Sequence, residues 1–542
     1  RLVFFAGMAG SRVLLSSATL PPSLVQGMFR AYQAGRLQYS LNRGELAPDA
    51  AREVPCLWVD EFGKPLRKDC YDADAFLTNH ESFTEQRIKK LQDQPPLRVA
   101  RLQNLEISIG QKREAIRSEF AEYIWQAAWE LHSNHHDVDP VSGVCASFGL
   151  VRMANIDPLA DVAKALISRN LPPNAHLHLC VYHSQFPLAQ RSEIEAMLDA
   201  VFDRRDSGVV WKLPWVREVI DPAPCGDHLF VVLASPVCEV GRDWDVDWAV
   251  AEPSSMRSII QLAGRVNRHR NAKKNNEPNM VVFDTNLKAL EIWGKGKAAF
   301  IRPGFEKEDL WDADQCFLLS SHRLALLRHD LAELAAGHSP IDAVPRIKSF
   351  PNAVSCANDN WVALEHARME VAMRPIANEL LASARSPSGR PKSSGWRAPE
   401  RDQACLAWQF PQLTLLGVLA QEQPFREETH PDRTLVFLPD EHEEELVIHR
   451  VEPKLARNGQ SPYVAARELL RNCVLECGHG VRPWGLMSQE ELLERIKELS
   501  ELEGLSLLLA AAKFTAVQVP RERSDGKGWS WHPWLGFGSY TD

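Results

Sequence analysis

Two rhythms of apolar spacing alternate through the middle of the chain. Ser147 to Ile156, His176 to His183, Phe230 to Ala234, Asp245 to Ala251 and Met280 to Asp284 are short runs of the length and composition that form buried strands. Between them the period lengthens. Asp157 is an N-cap with Pro158 at the first helical position, and the spacing predicts a helix to about Asn170 with Leu159, Val162, Leu166 and Ile167 inward. Arg191 to Arg204 buries Ile194, Met197, Leu198, Val201 and Phe202 in the same way. Ser235-Pro236 ends the 230–234 strand, Val237 to Asp243 forms a charged turn, and Pro253-Ser254-Ser255 opens a further helix. Strands alternating with helices at this spacing imply an α/β fold, a parallel sheet with right-handed crossovers.

Outside this region the pattern is less regular. Arg12 to Thr19 reads as an apolar strand ending in small hydroxyl residues, which commonly cap a turn, followed by an amphipathic helix from about Ser23 to Gln38. Cys56 to Phe62 is strand-like and ends in the acidic turn Asp60-Glu61. Arg113 to Leu131 carries one apolar stripe through Ile116, Phe120, Tyr123, Ile124, Ala127 and Ala128. His132 to Asp137 reads as a polar loop, since a metal nuclease site needs histidines and aspartates gathered from several helices. Asn271 to Glu277 reads as a polar turn and Asp312 to Ala336 as helical. Ser383 to Arg401 reads as a solvated loop, whose arginines could also follow a phosphate backbone. Cys473, Cys477 and His479 read as a helix with two buried thiols rather than a zinc site. Ser488 to Phe514 is one amphipathic helical stretch, and Trp529 to Tyr540 an ending packed on its domain.

Composition narrows the classes. The 542 residues are 45% hydrophobic, enough for about two to three cores. A net charge of −9 excludes a protein coated in positive charge, so any nucleic-acid path is a local groove. The eleven cysteines form no C-x-x-C, which fits a reduced, cytoplasmic protein. No run of about 18 apolar residues and no signal peptide occur, so neither membrane nor export is indicated. Arg1-Leu2-Val3-Phe4-Phe5 starts inside a structured pattern without methionine, as a fragment does.

The chemistry concentrates at residues 239–268. Gln261, Gly264, Arg265 and Arg268 stand at offsets 0, 3, 4 and 7, one face of a predicted helix, with Ile259, Ile260, Ala263 and Val266 on flanking and opposite positions. A glycine inside a helix costs about 1 kcal/mol, so Gly264 points to close approach of a backbone or ligand. Paired guanidiniums suit phosphoryl oxygens. An ordinary α/β unit with solvated arginines is the competing reading. Arg152 and Asn155 lie at a strand end, where ligand contacts gather in open α/β sheets, and His183 and Ser184 reach the same edge.

The octapeptide Q-L-A-G-R-V-N-R resembles motif VI of superfamily 2 helicases, E-V-G-R-D resembles their motif V, and Ser17-Ala18-Thr19 their motif III. With L-L-S-S-A-T-L-P-P, S-F-G-L-V-R-M-A-N-I, Y-H-S-Q-F-P-L-A-Q-R-S-E-I-E and the ending W-L-G-F-G-S, the chain resembles the type I CRISPR-associated helicase-nuclease, third of the numbered CRISPR-associated proteins, of subtype I-F (YPEST). The resemblance implies a RecA-like parallel sheet with flanking helices, plus a mainly α C-terminal domain. It divides the chain into the end of a first RecA-like lobe (1–40), a connecting segment (41–140), the second lobe (141–290), a helical linker (291–345) and the C-terminal domain (346–542).

For the complete protein it implies a 3′-to-5′ single-strand DNA translocase driven by ATP and Mg2+, feeding an HD nuclease that holds a divalent transition metal. Implied partners are single-stranded DNA, the crRNA-guided type I-F surveillance complex, the CRISPR adaptation integrase and phage-encoded anti-CRISPR inhibitors. Arg265 and Arg268 would reach the γ-phosphate, Gln261 would orient them, and Gly241, Asp243 and Gly264 would line the nucleotide cleft. Ser17, Thr19, Arg152, His183 and Ser184 would face DNA. No G-x-x-x-x-G-K-[ST], D-E-x-H or full HD constellation occurs, so the chain alone is expected to be inactive. Another superfamily 2 RNA or DNA helicase, or a non-catalytic docking module, remain alternatives.

Overall fold

The computed structural model describes residues 2–43, 53–206, 208–270, 277–292, 297–301, 303–307, 317–327, 338–374, 432–467, 470–520 and 529–538. The expectations for Ser383 to Arg401, and for most of Asn271 to Glu277 and Asp312 to Ala336, lie outside them. Within the last span, Phe317–Leu327 is irregular, with a single 3-10 turn at Leu324–Leu326 in place of an α-helix.

Helices α1 (Leu2–Met8) and α2 (Pro22–Arg43) cross at glycine, where a Cβ on Gly35 would stand 2.1 Å from the Phe4 carbonyl oxygen. The other side of α2 covers a small core with the antiparallel pair β1 (Val54–Trp58) and β2 (Leu66–Cys70) and with α3 (Ala73–Gln92). Phe29 stacks on Phe76 there at 4.5 Å. The strand expected at Arg12 to Thr19 is irregular chain instead. Leu14 is 90% exposed, and no strand among the described residues pairs with the run, so its apolar residues have no ladder to join.

The main sheet is built from β3 (Val99–Gln103), β4 (Asp137–Val138), β5 (Cys145–Arg152), β6 (Ala175–Tyr182), β7 (Asp227–Ala234), β8 (Trp248–Ala251), β9 (Met280–Phe283), β10 (His338–Pro340) and β15 (Val481–Pro483). Its order is β10-β3-β9-β8-β5-β7-β6-β15, with β4 beside β5. Every pairing is parallel except those of β10 and β4. Burial on both faces explains why β5, β7 and β8 read as continuous apolar runs. Helices α4 (Arg113–His135), α5 (Ile156–Ile167), α6 (Leu188–Val201), α7 (Pro214–Ile220) and α8 (Met256–Ala263) flank it, giving the expected α/β, RecA-like layering. Strands from the stretches read as connecting segment and C-terminal domain, β3 and β15, are built into this sheet.

The expected polar loop at His132 to Asp137 is absent because its histidines find distant partners. His132 to His136 is not a loop but the end of α4 and its cap. His132 Nδ1 meets Ser147 Oγ at 2.8 Å, and His135 Nε2 donates to the Pro278 carbonyl at 2.7 Å. Among the described residues no cluster of three metal-ligating side chains occurs.

Among the described residues, the C-terminal region expected to be mainly α carries two sheets beside its helices. An antiparallel sheet of order β13-β12-β11-β16 joins β11 (Asp432–Pro439), β12 (Leu446–Val451), β13 (Tyr463–Ala465) and β16 (Val517–Pro520). A second sheet, β14-β17-β18, joins β14 (Leu470–Asn472), β17 (Trp529–His532) and β18 (Gly536–Gly538). Leu435 to Leu438 are consecutively buried, so this strand shows no alternation. Helices Gln489–Glu503 and Leu507–Phe514 replace the single expected helix, because Gly504 adopts φ +62° and ends the first. Cys473 and Cys477 lie in irregular chain, and Cys477 is exposed, so the buried-thiol helix is absent. The tryptophan-rich ending is packed, with Trp529, Trp531 and Trp534 all buried. Trp534 Nε1 donates to the Leu179 carbonyl of β6 at 2.9 Å.

Candidate nucleotide-facing site

Helix α8 starts where two side chains take its first amides. Ser255 Oγ accepts from Ser258 N at 3.2 Å, and the Glu365 carboxylate accepts from Met256 N and Arg257 N. Glu365 is fully buried and pairs with Arg346 at 2.9 Å. The helix stops at Ala263 with Gly264 as its C-cap. The expected continuous face of Gln261, Gly264, Arg265 and Arg268 is therefore broken. Gln261 sits in the last turn, while Arg265 and Arg268 belong to the loop that follows.

The loop leaves the helix because it finds partners that spacing cannot reveal. Val246 N donates to the Arg265 carbonyl at 2.8 Å and Asn267 N to the Val246 carbonyl at 3.1 Å, a single parallel bridge. Arg98 Nε donates to the Val266 carbonyl at 2.9 Å, and Asn267 takes a left-handed φ of +46°. Gly264 meets only its own turn, the Gln261 carbonyl lying 3.3 Å from a hypothetical Cβ, so the close approach expected there is not found among the described residues. Gly241 is different, since its φ of +66° is the left-handed conformation that glycine tolerates best.

Both arginines still converge on the turn after β7. Arg265 is 8% exposed, and its Nη2 donates to the Glu239 carbonyl at 2.9 Å. Its Nε is buried with no hydrogen-bond partner among the described residues. Burial first, then the neighbouring Arg268 charge, pull this guanidinium below its ordinary pKa. Arg268 has a side chain 41% exposed, donates to the Gly264 carbonyl at 3.3 Å and forms an ion pair with Asp243. Asp243 is shared with Arg205 and lies 3.3 Å from His269 Nε2. Asp245, missed by the sequence reading, holds the backbone of this loop: its oxygens accept from Arg268 N at 3.1 Å and His269 N at 3.0 Å.

The residues expected to face DNA separate into two groups. Arg152 is 1% exposed and internally committed. Its Nε pairs with Glu239 at 2.7 Å, its Nη1 donates to the Glu252 carbonyl at 2.6 Å and its Nη2 to Ser254 Oγ, so it braces the ends of β5, β7 and β8. His183 is also enclosed: Nε2 donates to the Leu535 carbonyl at 2.8 Å and Nδ1 accepts from Gln185 N at 3.1 Å. Thr19 is 5% exposed, its amide donating to Ser17 Oγ at 3.2 Å in a local turn. The strand-end position of Arg152 and His183 was read correctly, but burial removes both from solvent. Ser17 and Ser184 are exposed. Ser184 lines a cleft of about 450 Å3 with Gln185, Arg191 and Gln518, between the turn after β6 and β16.

Burial drives the His183 ring from 6.5 down to about 4. The folded pKa lies below the unfolded one, so the unfolded chain binds more protons between these values and stability is lost as pH falls through that window. Between pH 7 and 5 this site should remove on the order of 2 kcal/mol. In His183→Gln the stability difference between the two pH values, from urea unfolding, should shrink by about that amount, the rest persisting through the similarly depressed His80 and His228; an unchanged difference would show that the ring is not a titrating group.

Residues 145–271 match the family described as CRISPR-associated nuclease/helicase Cas3, C-terminal, and residues 437–539 that described as CRISPR-associated Cas3 subtype I-F/YPEST-like, C-terminal domain. Over 547 residues the chain is 40% identical to the CRISPR-associated nuclease/helicase Cas3 subtype I-F/YPEST of Pseudomonas aeruginosa strain UCBPP-PA14. It is 36% identical over 554 residues to the protein of that name in Pectobacterium atrosepticum. Each alignment covers 100% of this chain and 45% of the relative, so the chain spans less than half the length of these relatives. Among solved structures, that of T. fusca Cas3-AMPPNP aligns with 99% of this chain and 51% of its own, at 16% identity and a TM-score of 0.48.

Proposed function

Since residues 145–271 and 437–539 carry the C-terminal domains of Cas3-type nuclease/helicases, the second of subtype I-F/YPEST, we propose that this chain is the lobe that completes an ATP site from one side. In the whole protein it would belong to a 3′-to-5′ single-strand DNA translocase and nuclease that degrades foreign DNA in type I-F CRISPR interference. The observation that carries the reading is Arg265: a buried guanidinium with an unpartnered Nε, its charge disfavoured by burial and by Arg268. An added oxyanion would relieve both penalties. A triphosphate held by another lobe supplies one, with charge that grows as the terminal phosphoryl group departs.

Arg268, more exposed, would meet that charge by exchanging Asp243 for a phosphoryl oxygen, and Gln261 at the end of α8 would border the same opening. Gly241 lets the turn bend, and Asp243 holds the guanidinium near the cleft. Exposed Ser17 and Ser184 are the remaining candidates for DNA contact. Mg2+ and the transition metal of the nuclease find no three-residue ligand cluster among the described residues, so no step is assigned to them. The surveillance complex, the adaptation integrase and anti-CRISPR inhibitors stand as partners proposed for the whole protein.

The test is a comparison of this chain alone with a chain extended by the half of the relatives it does not span. The extended protein should hydrolyse ATP in response to single-stranded DNA, and the short one should show no steady rate. Steady hydrolysis by the short chain, or stimulation by RNA in preference to DNA, would sink the proposal.

A further inference from the structure

We propose that Asp245 is the positioning residue of the arginine loop, an inference that rests on reading Arg268 as the group that meets the departing phosphoryl charge. Asp245 is fully buried, and its two oxygens accept four hydrogen bonds from three consecutive residues. Oδ1 accepts from Arg268 N at 3.1 Å and from Arg270 Nη2 at 2.8 Å. Oδ2 accepts from His269 N at 3.0 Å and from Arg270 Nε at 2.9 Å. The guanidinium thus closes bidentately on the same carboxylate that holds two successive backbone amides.

This clamp is anchored to the sheet. Arg270 also pairs with Asp247, whose carboxylate accepts from Phe148 N of β5 at 2.8 Å and lies 3.7 Å from Arg204. On the opposite side, the Arg268 guanidinium leaves the clamp and pairs with Asp243, 49% exposed. An ion pair at that exposure contributes little and exchanges readily. The loop therefore has a fixed backbone and an exchangeable head. With α8 ended at Ala263, no helical hydrogen bond runs through Arg268 to do this work. Asp245 supplies the rigidity that the helix would otherwise have given.

Asparagine is the discriminating substitution. Its single amide oxygen can keep one backbone amide, but its NH2 cannot accept from the other or from Arg270. In the full-length protein, Asp245→Asn should lower kcat for DNA-stimulated ATP hydrolysis about a hundred-fold, the scale of an ångström-level misplacement, with the KM for ATP and the affinity for single-stranded DNA within about two-fold. The double variant D245N/R268A should be no slower than R268A, because Asp245 acts only through Arg268. Arg270→Gln, which removes the other half of the clamp, should reproduce the kcat loss and serves if D245N folds poorly.

Full kcat per folded molecule in both D245N and R270Q, with R268A inactive, overturns the inference alone. A D245N loss that adds to that of R268A also overturns it, since a general weakening of the lobe would behave so. An R268A protein of unchanged kcat removes the underlying reading and this inference with it.

Discussion

On the proposed reading, Arg268→Ala in the full-length protein should lower the DNA-stimulated ATPase rate by about 10³-fold or more while single-stranded DNA binding stays nearly unchanged. The separation follows from location. Arg268 lies at the turn after β7 beside Asp243, whereas exposed Ser184 lies beyond β6, beside β16. A single guanidinium that meets charge developing on a phosphoryl group contributes to kcat and little to ground-state affinity. Arg268→Lys should recover part of the rate at most, because a point charge lacks the planar fork. Steady-state hydrolysis and fluorescence anisotropy with a labelled oligonucleotide measure the two quantities side by side. Loss of binding with a proportionate loss of rate would place Arg268 on the DNA path instead.

Arg152→Ala is expected to destabilise the chain by about 3–5 kcal/mol. Its guanidinium is 1% exposed, and removing it leaves the Glu239 carboxylate, 6% exposed, with Ser258 Oγ at 3.2 Å as its remaining described partner. Glu239 cannot relax cheaply, since its backbone carbonyl holds Arg265. The urea midpoint of the isolated chain should fall accordingly. The sequence alone assigns Arg152 to DNA, and that role makes the opposite forecast, an unchanged midpoint with weakened DNA binding.

What could be read from the residues depended on where their partners lay. The parallel strands were legible because burial on both faces imposes long apolar runs, as in β7, and α5 because its apolar stripe is local. The end of α8 was not, since Gly264 fits a helix interior by spacing and becomes a cap only because Val246 and Asp245 capture the loop beyond it. Asp245 was passed over for the same reason: an aspartate near a strand start looks like a solvated turn until its four donors are in place. Most strands of the C-terminal region escaped for a different cause, being only three or four residues long, and the eight-residue β11 is buried without alternation. Arg268 pairs with Asp243 and Arg265 with the Glu239 carbonyl, so the motif residues do lie together, although a loop carries the arginines in place of the helix that spacing predicts.

The edge strand β15 has a mechanical consequence. By lying in register against Leu177 to Leu179, with Trp534 and His183 bonding across the same seam, it fuses the C-terminal region to the lobe through a shared ladder rather than a tether. Torque applied to the lobe would reach the C-terminal region at this seam without slack, as through a welded joint.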